Sequence, residues 1–141
     1  MALDALLAIL HHLSVFSLVG LLFIEFALLR GSMAGGAILR FSRVDALYGI
    51  AAIAVVVIGI ARVVWGIVPP EIYIANLWFW IKMAALIAVS IISILPTLRS
   101  GRWRKALAAD AAYTPPEADL TLARRALWTE LAILPIVPIA A

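Results

Sequence analysis

The sequence predicts an all-α integral membrane protein, a four-helix bundle with both termini on the periplasmic side. Three observations predict it: an apolar composition, apolar runs of spanning length, and Lys and Arg gathered into two of three loops. Of 141 residues, 66% are hydrophobic and 13% charged, against about 45–50% apolar and about 25% charged in soluble domains. The bilayer is therefore the solvent in which this chain folds. No cysteine is present, which removes disulfides, thiolate metal sites, iron–sulfur clusters and covalent c-type haem attachment.

A transmembrane helix needs about 20 apolar residues, and a single domain of four spans accounts for nearly the whole chain. The first span, about 5–29, is interrupted only by His11, His12, Ser14, Ser17 and Glu25. It is expected to be retained rather than cleaved, because no Lys or Arg precedes it and no small-residue cleavage site follows. The second, about 46–68, is entered through Ser42-Arg43-Val44-Asp45, read as a capping box, and stopped by Pro69-Pro70. The third, about 77–98, carries Pro96 near its end. The fourth, about 126–141, continues a helix that starts at Thr114-Pro115-Pro116-Glu117, with Thr114 as cap. Pro135 and Pro138 make it the span expected to kink.

Orientation follows from charge. Arg30, Arg40 and Arg43 fall in the loop 30–45, and Arg99, Arg102, Arg104, Lys105, Arg124 and Arg125 in or beside the loop 99–125. That is nine of the eleven Lys and Arg residues, so both loops are expected in the cytoplasm of a bacterial inner (plasma) membrane protein. Trp65, Tyr73, Trp78 and Trp80 are expected to form an outer aromatic belt, with Tyr48, Trp103 and Trp128 at the inner interface. The basic loops suit anionic lipid headgroups, and interfacial arginine of this kind gives no reason to invoke nucleic acid.

Ionisable side chains within spans usually face the bundle interior and find partners there. His11 lies seven residues beyond Asp4, Arg62 six before Val68, and Lys82 six beyond Asn76. At about 1.5 Å of rise per residue, all three sit about 10 Å into the outer leaflet. His12 points about 100° away from His11 around the same helix, so one of the two histidines faces the core. A small-residue stripe, Asp45, Gly49, Ala52, Val56, Gly59 and Gly66, is expected to let helices approach closely beside Arg62. Towards the other end, Glu25 and Glu130 lie at the depth of Arg30, Arg43 and Arg125 and read as structural ion pairs.

A set of motifs along the chain joins this pattern to a known family. Leu10-His11-His12-Leu13 with Glu25 and Arg30, then Arg43-Val44-Asp45, Tyr48-Gly49, Gly59 and Arg62-Val63, then Asn76, Phe79-Trp80, Lys82, Pro96-Thr97 and Trp103-Arg104 run through nearly the whole chain. Together they resemble the bacterial membrane proteins grouped as domain-of-unknown-function family 2214. The resemblance implies a small four-helix inner-membrane protein and names no activity. The topology, with His in the first span and Arg and Lys in the next two, is also faintly similar to membrane protoporphyrinogen oxidases and copper-resistance D-type proteins, whose helices hold a b-type haem.

Two classes of function follow. In the first, His11, Arg62 and Lys82, with His12, form an outer-leaflet pocket for an anionic or redox ligand: a b-type haem or other tetrapyrrole, a quinone or a lipid. His11 or His12 would be a metal ligand only if haem is bound, with Arg62 and Lys82 pairing with its carboxylates. In the second, the chain is an accessory subunit of a larger energy-transducing membrane complex, or an oligomer, with no chemistry of its own. A hydrolase mechanism has no support, because no Ser-His-Asp set or carboxylate pair shares one level.

Overall fold

The computed structural model describes residues 2–139. These residues form six helices, α1 (Ala2–Arg30), α2 (Gly36–Trp65), α3 (Pro70–Ala75), α4 (Leu77–Ala109), α5 (Glu117–Ile133) and α6 (Ile136–Ile139), and no strand. Three of them, α1, α2 and α4, are long and apolar enough to cross a membrane. With 29, 30 and 33 residues they extend about 44–50 Å, well beyond a hydrocarbon core of about 30 Å.

The extra length lies at the arginine-rich end and corrects two expected boundaries. No capping box at Ser42–Asp45 starts the second helix; α2 begins ten residues before Ala46, with Gly35 as its cap at φ 48°. Glycine fits there because other residues reach that region only at a cost. Likewise α4 runs past Leu98 to Ala109 with Pro96 in its interior. Hydropathy marks where a helix leaves lipid, whereas the helix continues for as long as its backbone hydrogen bonds and packing hold. The loop between α1 and α2 shrinks to residues 31–35. The third loop also holds less open chain than expected. Its helix α5 starts at Glu117 behind Pro116, and Thr114 does not cap it. At its other end α5 stops at Ile133, before the ring of Pro135 can clash with the preceding turn. Residues 140 and 141, the outer end of the expected fourth span, lie outside the described residues.

Helix α1 packs along α2, α2 against α4, α4 against α5, and α5 back on α1, which closes a ring. The ring is tightest at the arginine-rich end, where α5 contributes Leu120, Ala123 and Leu127 to a core with Leu22, Leu29, Ile38, Phe41 and Trp103. Two residues expected in the inner aromatic belt are in this core instead. The Trp103 ring is fully buried 5.9 Å from Phe41, and Tyr48 is buried with its hydroxyl donated to Glu130. Trp128 is exposed. Towards the opposite end few side chains of α1, α2 and α4 are buried, because α5 no longer reaches between them and only the short α6 follows.

The polar side chains on the outside of the long helices satisfy themselves. Ser14 donates to the Leu10 carbonyl and Ser90 to the Leu86 carbonyl, both at 2.8 Å. Such bonds to the preceding turn let a hydroxyl face an apolar solvent without an orphaned donor.

Candidate functional site

Between the halves of α1, α2 and α4 that lie away from the arginine-rich end is a cavity of about 630 Å³, within the size range of small-molecule sites. Its walls are mostly aliphatic and aromatic, and His11 from α1, Arg62 from α2 and Lys82 from α4 all line it. The three residues that helical rise places at one depth thus meet at one cavity. Tyr73, on the short lid helix α3, and Asn76, which caps its end, line the cavity away from the arginine-rich loops, and α3 is not expected from the sequence. Pro70 occupies the first turn of α3, where a missing N–H costs nothing. Trp80 ties this lid down by donating its indole N–H to the Ile74 carbonyl at 2.9 Å.

Two of the polar atoms at the cavity lack partners, whereas Asn76 Oδ1 accepts from the Trp78 N–H. Arg62 Nε and His11 Nδ1 are buried with no hydrogen bond among the described residues, although the Val55 carbonyl lies beside the imidazole. The two ion pairs found among the described residues, Arg99–Asp119 and Arg124–Glu117, involve neither Arg62 nor Lys82. An opposite charge would offset the cost of holding two cations beside an apolar cavity.

His12 is placed differently. It is exposed, does not line the cavity, and its Nδ1 sits 2.6 Å from the Ala8 carbonyl. A carbonyl can only accept, so Nδ1 carries the proton and the ring is satisfied within its own helix. Of the two histidines, His11 is the one facing inwards. Met83 lines the cavity together with His11.

The small-residue stripe on α2 holds only in part. Gly59 faces His11, whereas Gly49 has open space around it and Val56 is exposed. The packed face of α2 is instead Phe41, Asp45, Tyr48, Ala51 and Val55, which continues through Gly59 at helical spacing.

A second groove adjoins the cavity. It holds about 310 Å³ between α2 and α4, shares Val56, Met83 and Leu86 with the first, and continues along Ile87, Ser90, Ile91 and Ile94. Several of these side chains, Val56, Ile87, Ile91 and Ile94, are exposed, so the groove opens sideways onto the apolar surface of the bundle.

The expected ion pairs of Glu25 and Glu130 do not form. Both carboxyls are buried with one oxygen unpartnered, while Arg30, Arg43 and Arg125 are exposed. Arg30 lies over the Phe26 ring, 5.7 Å from its centre. Long arginine side chains extend outwards to polar surroundings, and the shorter carboxylates stay behind. Sequence depth alone overlooked Tyr48 and Thr97, which supply the hydroxyl partners of this region.

No curated protein and no solved structure matches the chain. Residues 3–141 match the family described as predicted membrane protein DUF2214, and the chain, its three spanning-length helices included, belongs to that family of membrane proteins.

Proposed function

We propose that this protein binds an amphiphile whose head presents anionic or strongly accepting oxygens, with His11, Arg62 and Lys82 at the head and an apolar tail in the groove along α4. The observation that carries this reading is the continuity of the two spaces. A cationic end with unpartnered donors runs directly into an apolar trough open to the side. A ligand with a charged or carbonyl head and a long apolar tail satisfies both, and it can enter laterally from lipid. Quinones and anionic lipids share that chemistry. Were the ligand a tetrapyrrole such as b-type haem, His11 would be the residue to hold its iron, with Arg62 and Lys82 to pair with its carboxylates.

The proposal includes the setting. The chain sits in a bacterial inner membrane, with α5 and α6 completing a fourth span, the arginine-rich loops in the cytoplasm and both termini outside. Positive charge at one end of the bundle supports that orientation. The cavity then opens within the outer leaflet, and anionic lipid headgroups meet the arginines of the inner face.

The test is to purify the full chain from membranes in mild detergent and identify co-purifying small molecules by mass spectrometry, alongside an absorption spectrum. A bound quinone or acidic lipid, lost when Arg62→Gln and Lys82→Gln are combined, supports the reading. A haem absorption band abolished by His11→Ala would instead make the head a tetrapyrrole. No bound molecule, with unaltered stability of the double variant, would leave an accessory role in an oligomer or larger membrane complex.

A further inference from the structure

At the end of the bundle opposite the cavity, three carboxyls from three helices are buried together. Glu25 on α1 is 1% exposed, Asp45 on α2 7% and Glu130 on α5 0%. Glu25 lies within electrostatic reach of both Asp45 and Glu130. Hydroxyl groups from neighbouring elements reach two of them. Thr97 on α4 donates to Asp45 Oδ1 at 2.7 Å, with Ser100 beside it. Tyr48 on α2 donates to Glu130 Oε2 at 2.9 Å. Glu25 Oε1 and Glu130 Oε1 are buried without any partner.

The cations on every surrounding element are engaged elsewhere or turned outwards. On α4, Arg99 pairs with Asp119, which also accepts from Trp103 Nε1. On α5, Arg124 bonds the Leu29 carbonyl and Glu117, and Arg125 is exposed. Arg30 on α1 and Arg43 on α2 are exposed as well. Three ionised carboxylates in such surroundings repel one another and forfeit their hydration. Two kinds of partner could relieve this, a bound cation or protons. Among the described residues no group of three His, Asp or Glu converges closely enough to hold a metal ion.

We infer that Glu25, Asp45 and Glu130 form a proton-binding site, in which protons held on the Glu25 and Glu130 carboxyls take the place of a counter-cation. Asp45, with two hydroxyls at hand, is the member suited to remain a carboxylate. Tyr48 fixes the Glu130 carboxyl through Oε2, which leaves its orphaned Oε1 as the place for the proton. The site is separate from the outer cavity, because Leu18 and Leu22 on α1, both buried, stand between Glu25 and His11. It does not depend on the proposed amphiphile.

The experiment is infrared spectroscopy of the full chain in lipid nanodiscs, in water and in deuterium oxide, from neutral to alkaline pH. The carbonyl stretch of a neutral carboxylic acid, with its isotope shift, is expected to persist at neutral pH and to fade as the pH rises. Glu25→Gln and Glu130→Gln should each remove one carboxyl's share of the band, and Glu117→Gln, at an exposed position paired with Arg124, should remove none. A wild-type spectrum with carboxylate bands alone at neutral pH would overturn the inference, even if the variants failed to fold. So would loss of the band on adding sodium or calcium, since the ligand would then be the metal ion.

Discussion

Gly59 faces the imidazole of His11 so closely that a Cβ on Gly59 would stand 3.4 Å from His11 Cε1. The imidazole thus faces bare backbone of α2 at that point. One methyl group fits at ordinary van der Waals distance, and a branched side chain does not. Gly59→Ala should therefore be nearly neutral, whereas Gly59→Leu should displace the ring, lower the thermal midpoint in detergent and weaken ligand retention. Ile58→Leu, one residue away, is the control and should change neither. Equal midpoints for Gly59→Leu and Ile58→Leu would remove Gly59 from the helix interface.

Glycines elsewhere give effects of opposite sign. At Gly66, which ends α2, an added Cβ would collide with the Arg62 carbonyl oxygen and stand 3.2 Å from Asp4 Oδ1. The same turn holds the Gly66 N–H on the Arg62 carbonyl and the Ile67 N–H on Asp4. Gly66→Ala should cost about 1–3 kcal/mol through forced displacement. Gly20, on the exposed side of α1 with nothing within 4 Å, should gain about 0.5–1 kcal/mol as Ala from reduced backbone entropy. Thermal or chemical unfolding in one detergent checks both.

Tyr48→Phe removes the donor to Glu130 Oε2 and leaves both oxygens of a buried carboxyl without a protein partner. The expected loss is about 1–3 kcal/mol. Adding Glu130→Leu should recover part of it, because replacing both partners by apolar side chains leaves no buried polar atom orphaned. If the single and double variants were equally unstable, the hydroxyl would not be serving the carboxyl.

A cysteine placed at Ala34, exposed in the short turn between α1 and α2, tests the proposed orientation. It should resist a membrane-impermeant thiol reagent in intact cells and react once the inner face is opened. Labelling in intact cells would reverse the orientation.

The outer cavity was legible in the sequence because a helix converts residue number into depth. His11, Arg62 and Lys82 could be placed at one level from counting alone, and all three line one cavity. Counting could not show that α3 covers the end of that cavity, since Pro69-Pro70 reads as a stop and the helix begins within it. Nor could it show the groove along α4, which depends on how far the helices diverge. The carboxyl cluster was misread for a related reason. Depth brought Glu25 and Glu130 level with three arginines, but side-chain length decides whether such groups meet, and the arginines extend away. Tyr48 and Trp103 looked interfacial by position, yet α2 and α4 continue as helices beyond the apolar run and bury both against neighbours.

On the proposed reading, Arg62 and Lys82 make the cavity prefer an anionic head over a zwitterionic one. The most direct measurement is the thermal midpoint of the delipidated full chain against added amphiphiles that share one tail and differ only in head, anionic or zwitterionic. The wild type should be stabilised selectively by the anionic form, and that selectivity should vanish when Arg62→Gln and Lys82→Gln are combined. Equal responses of the wild type to both heads, or full selectivity retained in the double variant, would contradict the account.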